Sequence, residues 1–589
     1  MDLSQPPAPH PPVPSAGSDI DRQLRAALGR ATGGLSAGSA LLAAGDWGIN
    51  LLVSPGKQIE LGLLALEYAG QLARYDIECW LAGPGETRRH VQPPARDRRF
   101  EGSEWLHWPF NVLHQSFLLT EQWWAAATRG VLGVERHHEE LVSFAARQWL
   151  DLASPGNSLM TNPVALEKTL AEGGQNLVRG AMNAVTDMQR QAAQTPPPGA
   201  EKFVVGREVA ATPGKVVFRN RLIELIQYSP ATAEVCPEPI LLVPAWIMKY
   251  YILDLSPANS LVKYLVEQGH TVFCISWKNP TAEERDLAMD DYLHLGLGAA
   301  LDAIQTIVAK RRVHVLGYCL GGTLAAIGAA AMARDGDDRL ASLTLLAAQT
   351  EFSEPGELGL FIDESQVSLL EAQMAQTGYL TGSQMGGAFQ LMRSNDLLWS
   401  RLVNHWLLGE PEQVNDLMAW NADATRLPAR MHSEYLRQLF LHDDLAESRY
   451  KVDGRVVSLA EIKLPVFLVG TLTDHVAPWR SVYKLHSLTP AEITFVLTSG
   501  GHNAGIVSPP GHPRRHYQRL TTPAFTGQAN ARNDPERWLA EAPRAEGSWW
   551  PAWHEWLRER SGDPTKPPRM GLPGERPVDD APGRYVLEK

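Results

Sequence analysis

The sequence is short of cysteine, of positive charge and of long apolar runs. Four cysteines occur in 589 residues, and none is spaced to build a zinc site or a disulfide framework, so a reducing compartment is the default. Acidic residues outnumber basic ones, 66 against 54, for a formal net charge of −12. A balance of that sign argues against nucleic acid as a partner. No uninterrupted apolar run approaches the ~20 residues that span a bilayer. The opening MDLSQPPAPHPPVPSAGS lacks a basic stretch followed by an apolar core, so no secretory signal is read there and a disordered tail is expected over residues 1–18. A phosphate loop and metal-ligand spacing are also missing, and GLGAAL at Gly296 lacks both the last glycine and the preceding strand of a dinucleotide fingerprint. These absences predict a cytoplasmic protein with no metal and no membrane span.

What is present is a globular composition, 44% hydrophobic and 20% charged, in a chain long enough for two or more domains. Residues 19–199 carry helical patterns such as LVSFAARQWLDL and end in the linker QTPPPGAE, which predicts a helical N-terminal domain. Strand-like segments follow in order: KVVFRN, LIELIQYS, PILLVPAW, TVFCISW, RVHVLGY, SLTLLAAQ, PVFLVGT and ITFVLTS. Several are continuous apolar runs separated by helical patterns, as a parallel sheet buried on both faces requires. The catalytic domain is placed at 200–562. More than a hundred mostly helical residues separate SLTLLAAQ from PVFLVGT, far beyond an ordinary αβ connection, so a helical lid subdomain is expected at about 350–462. WWPAWHEWLRER reads as a last amphipathic helix, and the Pro-rich, charged segment 563–589 is expected to be a disordered tail.

The chemistry concentrates in GYCLGG, Gly317–Gly322. It follows the strand-like RRVHVL and precedes the small-residue helix TLAAIGAAAMARDG, the context in which G-x-S-x-G forms the nucleophile elbow of α/β-hydrolases. Here the nucleophile position holds Cys319. A free cysteine is ordinarily a small buried hydrophobe; three glycines, a strand and a helix in the places the elbow needs argue otherwise. Cys79, Cys236 and Cys274 lack that setting and read as structural. The fold class is therefore α/β: an α/β-hydrolase fold with an inserted helical lid, preceded by a mostly helical domain.

In that fold the acid and the histidine follow the nucleophile in chain order. Asp474 follows PVFLVG in TLTDHVAPW, and His502 follows ITFVLT in SGGHNAGI; both stand at strand ends, where α/β sheets gather catalytic groups. His475 adjoins the acid and offers no separate loop, His314 lies within a strand and reads as a core histidine, and His137 and His138 read as a solvated face. A thiol with pKa near ~8.5 is only slightly ionised at neutral pH, so His502 takes its proton while Asp474 orients the imidazole. The N–H of Leu320 is expected to form half of an oxyanion hole, with the other donor near Ala245 and Trp246. Exchange between thioesters is nearly balanced in energy, so a cysteine suits an enzyme that holds acyl groups and passes them on.

The sequence resembles the class I polyhydroxyalkanoate synthases. The resemblance rests on FNVLHQSFLL, SLMTNP, YYILDLSPANSLVKYLVEQGHTVFCISWKNP, GYCLGG, WNADATRLP, DHVAPW and SGGHNAGI, from about Phe110 to Trp556. It implies polymerisation of (R)-3-hydroxyacyl-CoA into polyester with release of CoA, no cofactor beyond the CoA of the substrate, a homodimer, and attachment to the surface of a polyester granule in the cytoplasm. Residue by residue, the family's nucleophile falls on Cys319, its acid on Asp474 and its histidine on His502. The tryptophan of the family's W-N-G-D-A-T stretch falls on Trp420, a candidate for substrate or interface contact, with Ala422 where glycine is common. PAWIMK, with Trp246 and Met248, stands where many relatives have P-P-C-I-N-K, and Asn503 follows the histidine where an apolar residue is frequent. A polyester depolymerase or thioesterase with the same triad is the rival enzymatic reading; a non-catalytic granule-binding protein is the rival of another class, and the intact triad argues against it.

Overall fold

The computed structural model describes residues 16–31, 34–83, 85–94, 97–193, 195–392, 398–525 and 534–589. The expected tail over 1–18 falls outside them for residues 1–15; residues 16–18 belong to the first helix.

Among the described residues, seven α-helices precede the sheet: α1 (Ala16–Ala31), α2 (Ala37–Leu52), α3 (Pro55–Ala82), α4 (Phe110–Ala127), α5 (Arg136–Leu152), α6 (Pro163–Ala171) and α7 (Gln175–Ala193). Local signals set several starts. The Ser36 hydroxyl accepts the Ser39 N–H at 3.3 Å to open α2, and Asn162 caps α6 ahead of Pro163, whose missing N–H costs nothing in the first turn. α4 and α5 are held by a charge cluster. Arg99 donates to Asp151 at 3.0 Å, to Asp97 at 2.7 Å and to Glu121 at 2.9 Å. Burial pushes the carboxyls of Glu121 and Asp151 upward, and the guanidinium opposes that push.

The sheet has eleven strands: β1 (Gly214–Arg219), β2 (Ile223–Tyr228), β3 (Ile240–Val243), β4 (Val272–Trp277), β5 (Val313–Tyr318), β6 (Leu340–Leu346), β7 (Val466–Thr471), β8 (Ile493–Thr498), β9 (His516–Thr522), β10 (Arg544–Glu546) and β11 (Asp579–Asp580). Their order is β10-β9-β8-β7-β6-β5-β3-β4-β2-β1-β11. The centre, from β4 through β3, β5, β6 and β7 to β8, is parallel, and both margins are antiparallel. Successive residues of the central strands enter opposite cores. Leu241, Val315, Leu345 and Leu468 pack on one face, and Leu242, Leu316, Leu346 and Val469 on the other. That is why these strands read as unbroken apolar runs. The small-residue helix α8 (Leu320–Asp335) follows β5 and ends at Gly336, in the left-handed conformation with φ 76°.

The connection from β6 to β7 holds helix α9 (Glu364–Thr377), capped by Asp363, together with shorter helical turns. Helix α1 packs on α9. The Gln366 side chain fastens that contact, accepting the Ser36 N–H at 2.8 Å and donating to the Gly34 carbonyl at 2.6 Å. His137 and His138 do not form a solvated face: His137 reaches Asp363 at 3.6 Å and His138 meets Asp46 of α2 at 2.8 Å. They tie α5 to its neighbours because both carboxylates lie within reach of one turn of that helix.

One further expectation is corrected. Residues 563–589 are not a loose tail. Asp579 and Asp580 pair with β1, Val586 is buried, and the Lys249 ammonium donates to the carbonyls of Glu588 at 2.7 Å and Tyr585 at 3.3 Å. Proline and charge deny this segment a core of its own, but an open sheet edge supplies backbone partners. The aromatic segment forms the amphipathic helix α10 (Trp550–Arg558) that its pattern predicts, with Trp550, Trp553 and Trp556 buried against the sheet. Among the described residues no helix is long and apolar enough to cross a membrane.

Candidate active site

Cys319 sits between β5 and α8 with φ 53° and ψ −122°, a conformation that side chains rarely adopt. The turn is held from several sides. The Cys319 N–H donates to the Leu346 carbonyl at 2.9 Å, and its own carbonyl accepts from Gly322 at 2.9 Å and Thr323 at 3.2 Å. The flanking glycines are required by contact. A Cβ on Gly321 would lie 2.0 Å from the Val243 carbonyl oxygen, and one on Gly317 2.4 Å from the Cα of Gly322. Cys319 is partly exposed, while Cys79, Cys236 and Cys274 are buried, and burial pushes the Cys274 thiol well up.

Asp474 and His502 meet at the carboxyl ends of β7 and β8. The imidazole Nδ1 lies 2.8 Å from Asp474 Oδ2. Because an ionised carboxylate only accepts, Nδ1 must carry the proton and Nε2 is the nitrogen left for Cys319. Asp474 is fully committed: Oδ2 also accepts the Thr471 hydroxyl at 2.7 Å, and Oδ1 accepts the N–H groups of Val476 and Ala477, each at 2.9 Å. Burial opposes ionisation of Asp474, but the imidazole and these donors outweigh it and hold the carboxyl below its ordinary range. Burial likewise opposes a charge on His502, yet the Asp474 carboxylate and the neighbouring Cys319 sulfur hold its pKa well above the ordinary imidazole value.

Cys319 opens onto a largely apolar cavity of about 130 Å³. Trp246, Ile247, Phe352, Leu370 and Tyr435 line it, and Gly34 and Leu35 of the N-terminal region close one side. Leu320 is the first residue of α8, so its N–H has no acceptor within the helix. Ala245 and Trp246 follow β3 and are buried; the Trp246 indole packs on Tyr292 at 4.8 Å and on Trp277 at 5.8 Å. The lid holds their loop, with the Thr425 hydroxyl donating to the Trp246 carbonyl at 2.6 Å and the Trp420 indole to the Lys249 carbonyl at 2.8 Å. Trp420 is therefore buried against this loop and is not among the residues lining the cavity.

The rival histidines weighed in the sequence fall elsewhere. His314 is buried in β5 against the Ser342 hydroxyl at 2.7 Å, and burial lowers it to about 4. The backbone carbonyl of His475 accepts the Glu357 N–H at 3.3 Å where the lid begins. Sequence reasoning missed Thr471 and the part played by Asn503. Thr471 ends β7 three residues before the acid, and the T-x-x-D spacing was the available signal. The Asn503 side chain accepts the Tyr318 hydroxyl at 2.5 Å, a contact between residues 185 apart that no local pattern announces.

Residues 96–265 match the family model described as poly-beta-hydroxybutyrate polymerase (PhaC) N-terminus, residues 15–57 match poly-beta-hydroxybutyrate polymerase N terminal, and residues 238–509 match the alpha/beta hydrolase fold. The chain is 41% identical over 509 residues to a poly(3-hydroxyalkanoate) polymerase of Methylorubrum extorquens, covering 85% of this chain and 82% of that one. It is 38% identical to the poly(3-hydroxyalkanoate) polymerase subunit PhaC of Rhizobium meliloti, covering 84% and 81%. Against the subunit of the same name from Cupriavidus necator the identity is 37%, covering 86% and 85%.

Proposed function

The chain belongs to the poly(3-hydroxyalkanoate) polymerase family, and from that membership we propose how its own residues make polyester from (R)-3-hydroxyacyl-CoA. The observation that carries the reading is His502, bonded to Asp474 through Nδ1 and set beside Cys319, whose side chain opens onto a largely apolar cavity. Cys319 attacks the thioester carbonyl. A bond forms from Sγ to the acyl carbon, the bond from that carbon to the CoA sulfur breaks, and the cysteine proton passes through His502 to the departing CoA. The oxyanion meets the N–H of Leu320 and a donor from the Ala245–Trp246 loop. In elongation His502 takes a proton from the hydroxyl of a second hydroxyacyl group, whose oxygen attacks the held acyl carbon; the bond from that carbon to Cys319 Sγ breaks, the proton passes from His502 to the freed sulfur, and an ester is left.

No cofactor is needed, because CoA arrives and leaves with the substrate. The cavity is of the order of the roughly 150 Å³ void that accepts benzene in another protein, which supports short acyl groups. The N-terminal helices expose Leu41, Ile49 and Leu52 on α2 and Ile59, Leu63 and Leu66 on α3. Apolar surface of that extent supports contact with the polyester granule, and so a cytoplasmic, granule-bound enzyme. The family resemblance supports a homodimer.

The test is incubation of the purified protein with 3-hydroxybutyryl-CoA, and separately with 3-hydroxyoctanoyl-CoA, following thiol release and insoluble polymer together. Thiol release matched by polymer, faster with the shorter substrate, is expected. Free hydroxy acid without polymer would mark a thioesterase instead.

A further inference from the structure

The residue before the nucleophile and the residue after the histidine are joined. The Tyr318 hydroxyl donates to Asn503 Oδ1 at 2.5 Å, and the Tyr318 ring lies against the His502 imidazole, with centroids 5.6 Å apart and planes inclined by 33°. Tyr318 ends β5 and Asn503 follows β8, two strands that β6 and β7 separate in the sheet. The nucleophile and its base thus ride on elements that do not touch through backbone pairing. The imidazole is fixed at Nδ1 by Asp474, which leaves its tilt about that bond open, and Nε2 must stay on the sulfur. The Asn503 carbonyl also ends a tight turn, accepting the N–H groups of Val507 at 2.9 Å and Ile506 at 3.1 Å. Anything that anchors Asn503 therefore anchors the whole loop carrying His502. Tyr318 is buried, so its hydroxyl requires a partner there.

We propose that Tyr318 and Asn503 form a positioning pair that fixes the His502 loop to the nucleophile elbow and holds Nε2 in line with Cys319. The inference rests on the catalytic reading above. The pair also accounts for a polar residue after the histidine: the asparagine answers a tyrosine hydroxyl that would otherwise be buried without an acceptor.

The experiment compares Tyr318→Phe, Asn503→Ala, the double variant, Asn503→Asp and His502→Gln in the full chain, each checked for native circular dichroism. The readouts are CoA release from 3-hydroxybutyryl-CoA and the pH dependence of iodoacetamide alkylation of Cys319. Each single variant should lose turnover roughly ten- to a hundred-fold, the range reached when a reacting group is displaced by about 1 Å, with KM little changed. The double variant should be no worse than the poorer single one, because both remove the same bond. Asn503→Asp keeps the acceptor and should retain most activity at neutral pH, while its added charge moves the alkylation profile to higher pH. Native turnover and an unchanged profile in Tyr318→Phe and Asn503→Ala would overturn the inference, as would losses that multiply in the double variant. His502→Gln separates the two ideas: if it leaves alkylation and turnover intact, the catalytic reading itself fails, and if it alone is slow, only the positioning pair fails.

Discussion

Asp474→Asn is nearly isosteric, and its effect follows from counting donors. Oδ1 accepts two backbone N–H groups and Oδ2 accepts the Thr471 hydroxyl and the His502 Nδ1–H. An amide nitrogen at the Oδ1 position would point hydrogens at two donors that cannot turn, so the asparagine must place it at the Oδ2 position. Thr471 can rotate and accept. His502 can respond only by moving its proton to Nε2, which faces Cys319 and can then no longer take the thiol proton. The same exchange in serine-protease triads lowers turnover about 10⁴-fold, equivalent to about 5 kcal/mol at 1.36 kcal/mol per decade. With the carboxylate gone, burial acts on the imidazole against less opposition and lowers its pKa. Rapid-quench measurement of CoA release should show the loss in the first turnover, and ¹⁵N spectra of the imidazole should place the proton on Nε2. A folded Asp474→Asn enzyme that keeps more than about a tenth of its first-turnover rate would refute the reasoning, because the one amide orientation that the two backbone donors allow does not leave the histidine in the useful tautomer.

Three further outcomes follow from the same contacts. Cys319→Ala should abolish both CoA release and the covalent hydroxyacyl adduct, and Cys319→Ser should lower turnover by orders of magnitude, since a hydroxyl is far less acidic than a thiol; an adduct on Cys236 or Cys274, seen by peptide mass, would contradict it. The folded pKa of His502 is raised, so its contribution to stability is complete below the unfolded value near ~6.5 and is lost as pH rises through the folded value; the denaturation midpoint of the native chain should exceed that of His502→Gln most at mildly acidic pH, with the gap closing in alkali. Arg99→Met leaves three carboxylates around a vacated site, Asp151 among them almost wholly buried; a local cost of about 3–5 kcal/mol should appear as faster amide exchange over Phe110–Leu152.

The sequence by itself determined the parts whose signals are local. All eight strand-like runs became β1 to β8, the central ones because strands covered on both faces must be apolar throughout, and the elbow was readable because a strand, three glycines and a helix lie side by side in the chain. Chain order then pointed to Asp474 and His502. Strands β9 to β11 escaped because they lie toward the sheet margins, where HYQRLTT and RAE are half exposed and two aspartates pair only through backbone. Composition misjudged residues 563–589 for a related reason: a segment's polarity does not say which surface is waiting for it. Only the tertiary structure decided that Trp420 braces the loop after β3, that Gly34 and Leu35 close the cavity of a cysteine nearly three hundred residues away, and that Asn503 holds Tyr318. These are contacts between side chains brought together by the sheet and the lid, and their partners' distance along the chain leaves no periodicity to read.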